Sequence, residues 1–199
     1  MEKIELKSIK YYGGIGVVLT LLGGIRRIGP LFRIAGIVLI LIALSELAQK
    51  LKEDKIFRQY LIGVIINIVG TGFALIMAII TGAWSIAKTI LWGSYGGYYE
   101  ILSEIGFSFI FFLILVYAIT ILTNYFYRES LKIITNKTGK KTFSIAGDLL
   151  FYGAIGTVAI LGVFAMYIGW IILSVAFFSL PDFVETGISE GQPPEVPQG

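Results

Sequence analysis

Tyr12-Gly-Gly-Ile-Gly-Val-Val-Leu-Thr-Leu-Leu-Gly-Gly-Ile-Arg-Arg-Ile-Gly29 is an apolar, glycine-rich stretch that returns later in the chain. Shifted by 140 residues it lies over Tyr152–Gly169, and eight of the eighteen paired residues are identical. A second match places Gly36–Leu47 over Gly169–Leu180, a shift of 133. Both copies have the pattern of an apolar helix, a glycine turn and a second apolar helix, which indicates an internal repeat. The seven-residue difference between the shifts predicts a shorter turn in the second copy.

The composition indicates a membrane protein. Of the 199 residues, 56% are hydrophobic and 15% are charged, and the mean hydropathy is +0.85. Soluble domains carry about a quarter charged residues. Here the charges fall in short blocks, and the apolar runs between them are long enough to cross a hydrocarbon layer of roughly 30 Å. Because a helix satisfies its own backbone in lipid, the sequence predicts an all-α, polytopic helical membrane protein.

The chain lacks the residues that most catalytic and metal sites use. It contains no cysteine and no histidine. Disulfides, thiolate chemistry, haem ligation by histidine and the usual zinc and copper sites are therefore excluded. No nucleophile has a base in reach, so we expect no catalytic residues, no cofactor and no metal. The net charge of +3 is interpreted as a topology signal, and no nucleic-acid partner is expected.

Apolar runs and their boundaries predict five to six membrane segments, with two related hairpins flanking two full spans. Arg26, Arg27, Gly29 and Pro30 form the first hairpin turn. The repeat predicts a second turn at Tyr167, Gly169 and Trp170. Asp148 is predicted to cap the helix that follows it in the chain. The alternative is one long helix over 149–180, which gives five segments. The six predicted segments are 11–28, 31–48, 60–83, 105–127, 148–166 and 168–180.

Two further segments differ in composition from the predicted spans. Residues 84–104 are rich in aromatic residues and glycine, which predicts a segment lying on the membrane surface with its aromatic side chains at the headgroups. A substrate cage is the alternative interpretation of the same residues. The tail, 181–199, is acidic and proline-rich, and we expect it to be flexible or held by a partner. The interfacial aromatic residues are Trp84, Trp92, Tyr95, Tyr98 and Tyr99.

Small residues at helical spacing predict where helices pack. Gly70, Ala74, Ala78 and Gly82 lie four residues apart on one face of the third segment, and a row of small residues lets helices approach closely in lipid. Gly16, Thr20 and Gly24 form a similar row on the first segment. The alternative is that these residues merely face lipid. Asn67 is the best polar candidate within the membrane, either for an interhelical hydrogen bond or as a pore or ligand group.

The distribution of lysine and arginine predicts the orientation. Twelve of the sixteen cations lie inside if the N-terminus, the block 49–59 and the block 124–147 are cytoplasmic. This predicts a multi-pass protein of the cell membrane with a cytoplasmic N-terminus and with 84–104 outside. Arg26, Arg27 and Arg33 break the rule. The tail lies inside if there are six segments and outside if there are five.

Several motifs resemble a known family. They are Gly-Gly-Ile-Gly-(x5)-Leu-Gly at 13–23, Ile-Gly-Pro at 28–30, the run 36–44, Ile56-Phe57 and Leu61-Ile62-Gly63. This pattern resembles a family of archaeal and bacterial membrane proteins known as domain of unknown function 996, over about residues 10–180. The resemblance implies a small helical membrane protein and supplies no catalytic residues.

Two hypotheses for function come from different classes. The first is a non-catalytic structural or accessory subunit, whose partners are the lipid bilayer and either other membrane protein subunits or copies of itself. The alternative is a small oligomeric channel or carrier with glycine-broken helices. Ion and proton pathways usually need ionisable residues within the membrane, and their scarcity here favours the first hypothesis.

Overall fold

The computed structural model describes residues 3–25, 27–92 and 98–185. Six α-helices and two three-residue strands make up this part of the chain. A 3-10 turn, Gly156–Ala159, separates the last two helices. The elements in order are β1 (Lys3–Glu5), α1 (Lys7–Leu22), α2 (Gly29–Lys50), α3 (Lys55–Trp92), α4 (Tyr98–Thr138), α5 (Lys141–Ile155), α6 (Leu161–Phe178) and β2 (Phe183–Glu185).

The six helices form three hairpins: α1–α2, α3–α4 and α5–α6. Each helix contacts the next one along the chain, and α6 contacts α1, which closes the series. Five of the helices are long and apolar enough to cross a membrane, whereas α1, with 16 residues, is shorter. The prediction of a polytopic helical membrane fold is confirmed.

The two ends of the described chain meet at one end of the bundle. The strands β1 and β2 pair antiparallel, with Ile4 opposite Val184. The Leu6 amide donates to the Asp182 carbonyl at 2.9 Å, and the Lys10 ammonium lies 3.2 Å from the Asp182 carboxylate. Both ends of the described chain therefore lie at the same end of the bundle.

The connections α2–α3 and α4–α5 lie at this same end. Lys137, in the last turn of α4, pairs with Glu53 in the α2–α3 connection at 3.1 Å. Twelve of the sixteen lysine and arginine residues belong to β1, to these connections or to the three helix turns nearest to them. We call this end of the bundle the cationic end.

The hydrophobic core lies close to the cationic end. Its buried apolar side chains come from all six helices. Tyr60 of α3 stacks on Tyr127 of α4 with ring centroids 4.3 Å apart, and Phe143 of α5 meets Phe177 of α6 edge to face at 5.2 Å. Core members from each helix in turn are Val17, Leu44, Tyr60, Leu131, Leu150 and Phe177.

The predicted turn at Tyr167–Trp170 is wrong. The chain turns instead at the 3-10 turn and at Ile160, whose φ is +58°, and residues 167–170 lie within α6. α1 ends at Leu22 and α5 ends at Ile155, so these two helix ends are 133 residues apart. The shift of 140 is seven residues too long. Seven residues are about two helical turns, which keep the same face of the helix and therefore give a similar apolar pattern.

The prediction of a separate surface segment at 84–104 is also wrong. Residues 84–92 continue α3, and residues 98–104 begin α4. The run from Ala83 to Trp92 contains neither glycine nor proline, so nothing in it ends the helix. The basic segment 124–147 is likewise mostly helical, because α4 continues to Thr138 and the chain turns at Gly139, whose φ is +70°.

Candidate interaction surfaces

The α3–α4 hairpin is much longer than the other two. The Tyr117 hydroxyl of α4 donates to the Ile155 carbonyl at the end of α5, at 2.7 Å. From Tyr117, α4 extends 19 residues further to Tyr98, which is about 28 Å of helix. α3 has 38 residues and α2 has 22, so α3 exceeds α2 by about 24 Å. We call residues 77–92 of α3 and 98–116 of α4 the arm, and the turns at 23–28 and 156–160 the hairpin tips.

The arm carries large apolar side chains that no other part of the described chain covers. Trp84 is 65% exposed and Phe109 is 59% exposed. Others that are at least half exposed come from both helices, namely Ile79, Ile80, Ile110, Phe111 and Ile114. The arm therefore presents an apolar surface to its surroundings.

The row of small residues on α3 is divided between two environments. A Cβ added at Gly70 would lie 2.9 Å from Ile119 of α4, and Ala74 is fully buried. Ala78 and Gly82 are exposed, and a Cβ at Gly82 would meet nothing within 4 Å. The first half of the row thus packs inside the chain against α4, and the second half lies open on the arm.

The row on α1 packs the first hairpin together. Gly16 lies against the Gly36 carbonyl and Ile40 of α2. The Thr20 hydroxyl donates to the Gly16 carbonyl at 2.9 Å, next to Gly36. Gly24 lies beyond the helix in open space. In the last hairpin, Gly153 and Gly162 make another close backbone approach.

The residues predicted at the two hairpin turns lie in two different structural environments. In the first turn, Arg27 is exposed, Gly29 packs on the Gly23 carbonyl and Pro30 begins α2, while Arg26 lies outside the described residues. The other three lie on α6: Tyr167 is exposed, Gly169 packs against Leu149 and Leu150, and Trp170 meets Tyr127 edge to face at 6.2 Å.

Asn67 is half-buried on α3, on the helix face that also carries Gly63, Gly70 and Ala74. This face packs against α4. Of the interfacial aromatic residues, Trp92 ends α3 and Tyr98 and Tyr99 begin α4, whereas Tyr95 lies outside the described residues. The structure does not separate these residues from the arm as a segment of their own.

An ion pair that the sequence does not predict joins α4 to α5. The Arg128 Nε donates to the Asp148 carboxylate at 2.6 Å. The guanidinium lies 5.0 Å from the Phe151 ring centre and 5.1 Å from that of Tyr152. Asp148 therefore lies within α5 and pairs across helices, so its predicted role as a helix cap is wrong. Arg128 directly follows the long uncharged run of α4, and Asp148 directly precedes the uncharged run of α5 and α6. These positions at the ends of two neighbouring apolar runs are the only sequence signal for the pair.

A polar cleft lies at the cationic end between α1 and α2. The Ser8 hydroxyl donates to the Glu46 carboxylate at 2.6 Å, and Lys50 pairs with the same carboxylate at 2.7 Å and donates to the Glu5 carbonyl. The cleft has a volume of about 530 Å³, and Lys7, Tyr11 and Tyr12 complete its lining. Its acidic group is already engaged by internal partners. In the described ranges, no three acidic residues lie close enough to hold a metal ion.

Comparisons with known proteins identify the family of the chain. The model of the family described as "Protein of unknown function (DUF996)" matches residues 32–171. The chain is 35% identical over 182 residues to the uncharacterized protein MJ1644 of Methanocaldococcus jannaschii, which covers 92% of this chain and 97% of the relative. No solved structure matches. The resemblance inferred from the glycine and apolar motifs is confirmed, and the chain belongs to the DUF996 family.

Proposed function

We propose that this multi-pass protein is a non-catalytic structural or accessory subunit of the cell membrane, which packs through its arm against other membrane proteins or a second copy of itself. The observation that carries the proposal is the length of the arm, about 24–28 Å beyond the hairpin tips, with apolar side chains exposed on both helices.

The open half of the small-residue row supports the arm as the contact surface. Ala78 and Gly82 are exposed on α3, and a Cβ at Gly82 would meet nothing within 4 Å. In lipid, helices associate mainly through close backbone packing at small residues. A partner helix could approach α3 here as closely as α4 does at Gly70.

The distribution of charge supports a cytoplasmic N-terminus. Lysine and arginine are enriched in cytoplasmic connections, and twelve of the sixteen belong to the cationic end. With this end inside, the α3–α4 connection lies outside, and both termini of the described chain are cytoplasmic.

A small channel or carrier is the second candidate. The first and last hairpins have similarly spaced helix ends, with α1 ending 133 residues before α5, and paired repeats are common in carriers. Against this candidate, buried apolar side chains from all six helices fill the space at the cationic end. A carrier would have to separate these helices in each cycle, and flux in reconstituted vesicles is the measurement that would favour it.

Leucine substitutions on the arm test the proposal. Gly82→Leu and Ala78→Leu should keep the protein in the membrane, since leucine is as apolar as lipid, but should reduce its assembled mass in mild detergent. Gly72→Leu is the matched control, because Gly72 is also open and lies about 100° around the helix from the midpoint of Ala78 and Gly82. Size-exclusion chromatography with light scattering gives the mass. If Gly82→Leu and Ala78→Leu both keep the native mass, the arm faces only lipid and the proposal fails.

A further inference from the structure

The positions of the charged residues give α3 and α4 longer uncharged intervals than α1 and α2. α3 has no charge between Arg58 and Lys88, and α4 has none between Glu104 and Arg128. These intervals are about 44 and 35 Å of helix, and both exceed a hydrocarbon layer of roughly 30 Å. The interval of α2 between Arg33 and Glu46 is only about 18 Å. α1 is equally short, since its twelve residues from Tyr11 to Leu22 also span about 18 Å.

The hairpin tips lie level with the middle part of the α3–α4 hairpin. The contact between Tyr117 and Ile155 fixes the tip of the last hairpin beside residue 117 of α4. The first hairpin reaches a similar level, since α2 and α3 both start from the α2–α3 connection and α2 is 22 residues long. Counting 22 residues along α3 from Lys55 leads to residue 76. Gly72 therefore lies close to the level of both tips.

A bilayer placed near enough to the cationic end for all six helices to cross would end near the hairpin tips and leave the arm in water. Trp84, Phe109 and Phe111 would then be hydrated while more than half exposed. A bilayer centred on α3 and α4 keeps these side chains in lipid. It places the first hairpin tip deeper in the membrane than the headgroups of the leaflet opposite the cationic end. Arg27 and Arg33 are both exposed, and long cationic side chains in such positions reach towards water and lipid phosphate.

We propose that only α3 and α4 cross the whole bilayer, and that the far leaflet is drawn inward to meet the two hairpin tips. Water and phospholipid headgroups then contact the tips at a depth where lipid tails still surround the arm. A hydrophobic length shorter than the bilayer is accommodated by such local thinning. The surface recognised by the headgroups includes Arg27 and Arg33 at the first tip. This inference does not depend on the proposed accessory role.

Nitroxide depth measurements test the inference. The chain has no cysteine, and a Cβ added at Gly24, Gly72 or Gly82 meets nothing within 4 Å. Spin-labelled Gly24→Cys, Gly72→Cys and Gly82→Cys proteins are placed in dioleoyl phosphatidylcholine and phosphatidylglycerol vesicles. Collisions of each label are measured with oxygen, which concentrates in lipid tails, and with a water-soluble nickel chelate.

The inference predicts that the label at position 24 collides mainly with the nickel chelate, whereas the label at position 72 collides mainly with oxygen. The label at position 82 should lie nearer to the headgroups than the label at position 72. Adding Arg27→Leu and Arg33→Leu should lower the nickel collisions at position 24 several-fold, whereas Arg58→Leu should leave them unchanged. A label at position 72 that collides mainly with nickel would mean that all six helices cross. A label at position 24 that collides mainly with oxygen would mean that the tip lies in lipid tails. Either result overturns the inference.

Discussion

At the scale of single residues, glycines at two close backbone contacts determine how the hairpins pack. Gly36 lies against the Gly16 carbonyl in the first hairpin, and Gly162 lies against the Gly153 carbonyl in the last. Any side chain at these positions would overlap backbone atoms, which cannot move aside as the end of a flexible side chain can. Other glycines, such as Gly72, face open space, so the same residue type serves different purposes along the chain.

Alanine substitutions separate these two kinds of glycine. Gly162→Ala should lower stability by about 1–3 kcal/mol or more, because the added methyl group forces the start of α6 away from α5. Gly72→Ala should leave stability unchanged or raise it by up to about 1 kcal/mol, since alanine favours a helix over glycine. The midpoint of thermal unfolding in detergent checks both. Equal midpoints for the two variants would show that α5 and α6 do not approach closely at Gly162.

At the scale of elements, the apolar runs predict most helices. The sequence alone does not determine the register in which the first and last hairpins align. Gly169 and Trp170 match the first hairpin turn at a shift of 140, yet they lie within α6, where Gly169 packs on α5 and Trp170 meets Tyr127. A displacement of two helical turns preserves the apolar face, so both registers fit the pattern. Only tertiary contacts distinguish them.

Contacts between helices, which the sequence does not show, also account for the other differences from the sequence predictions. The aromatic residues near 84–104 predict an interfacial position, but their composition does not show whether the chain lies on a surface or continues as a helix. Gly70 and Gly82 share one row, and only the structure shows that the first faces α4 and the second is open. Arg128 and Asp148 are 20 residues apart, and their pairing depends on how α4 meets α5.

The pairing of β1 with β2 is the element that joins the two ends of the bundle. Residues directly opposite in an antiparallel pair have Cα atoms about 4.5–5.5 Å apart, within the range that a disulfide spans. The double variant Ile4→Cys/Val184→Cys should therefore form an intramolecular disulfide on mild oxidation. Mass spectrometry after proteolysis identifies the linked peptides. Val18→Cys/Val184→Cys is the control and should stay reduced, because Val18 lies in α1, away from the strand pair. No linkage in the first variant would show that the strands do not pair.

At the scale of the whole molecule, three hairpins begin and end at the cationic end, where the buried core holds them together. The arm is the part of the chain that extends furthest from this core. This arrangement suits a protein anchored by one compact end that offers a long apolar hairpin to its surroundings. It also places both ends of the described region at the same end of the bundle.

The most direct test of this account is the side of the membrane on which three single cysteines react. Asn136 and Pro181 are both exposed at the cationic end, and Ser94 lies in the connection between α3 and α4. In intact cells, a membrane-impermeant thiol reagent should label Ser94→Cys and leave Asn136→Cys and Pro181→Cys unlabelled until the membrane is opened. Labelling of Asn136→Cys and Pro181→Cys from opposite sides would contradict the shared end of the three hairpins.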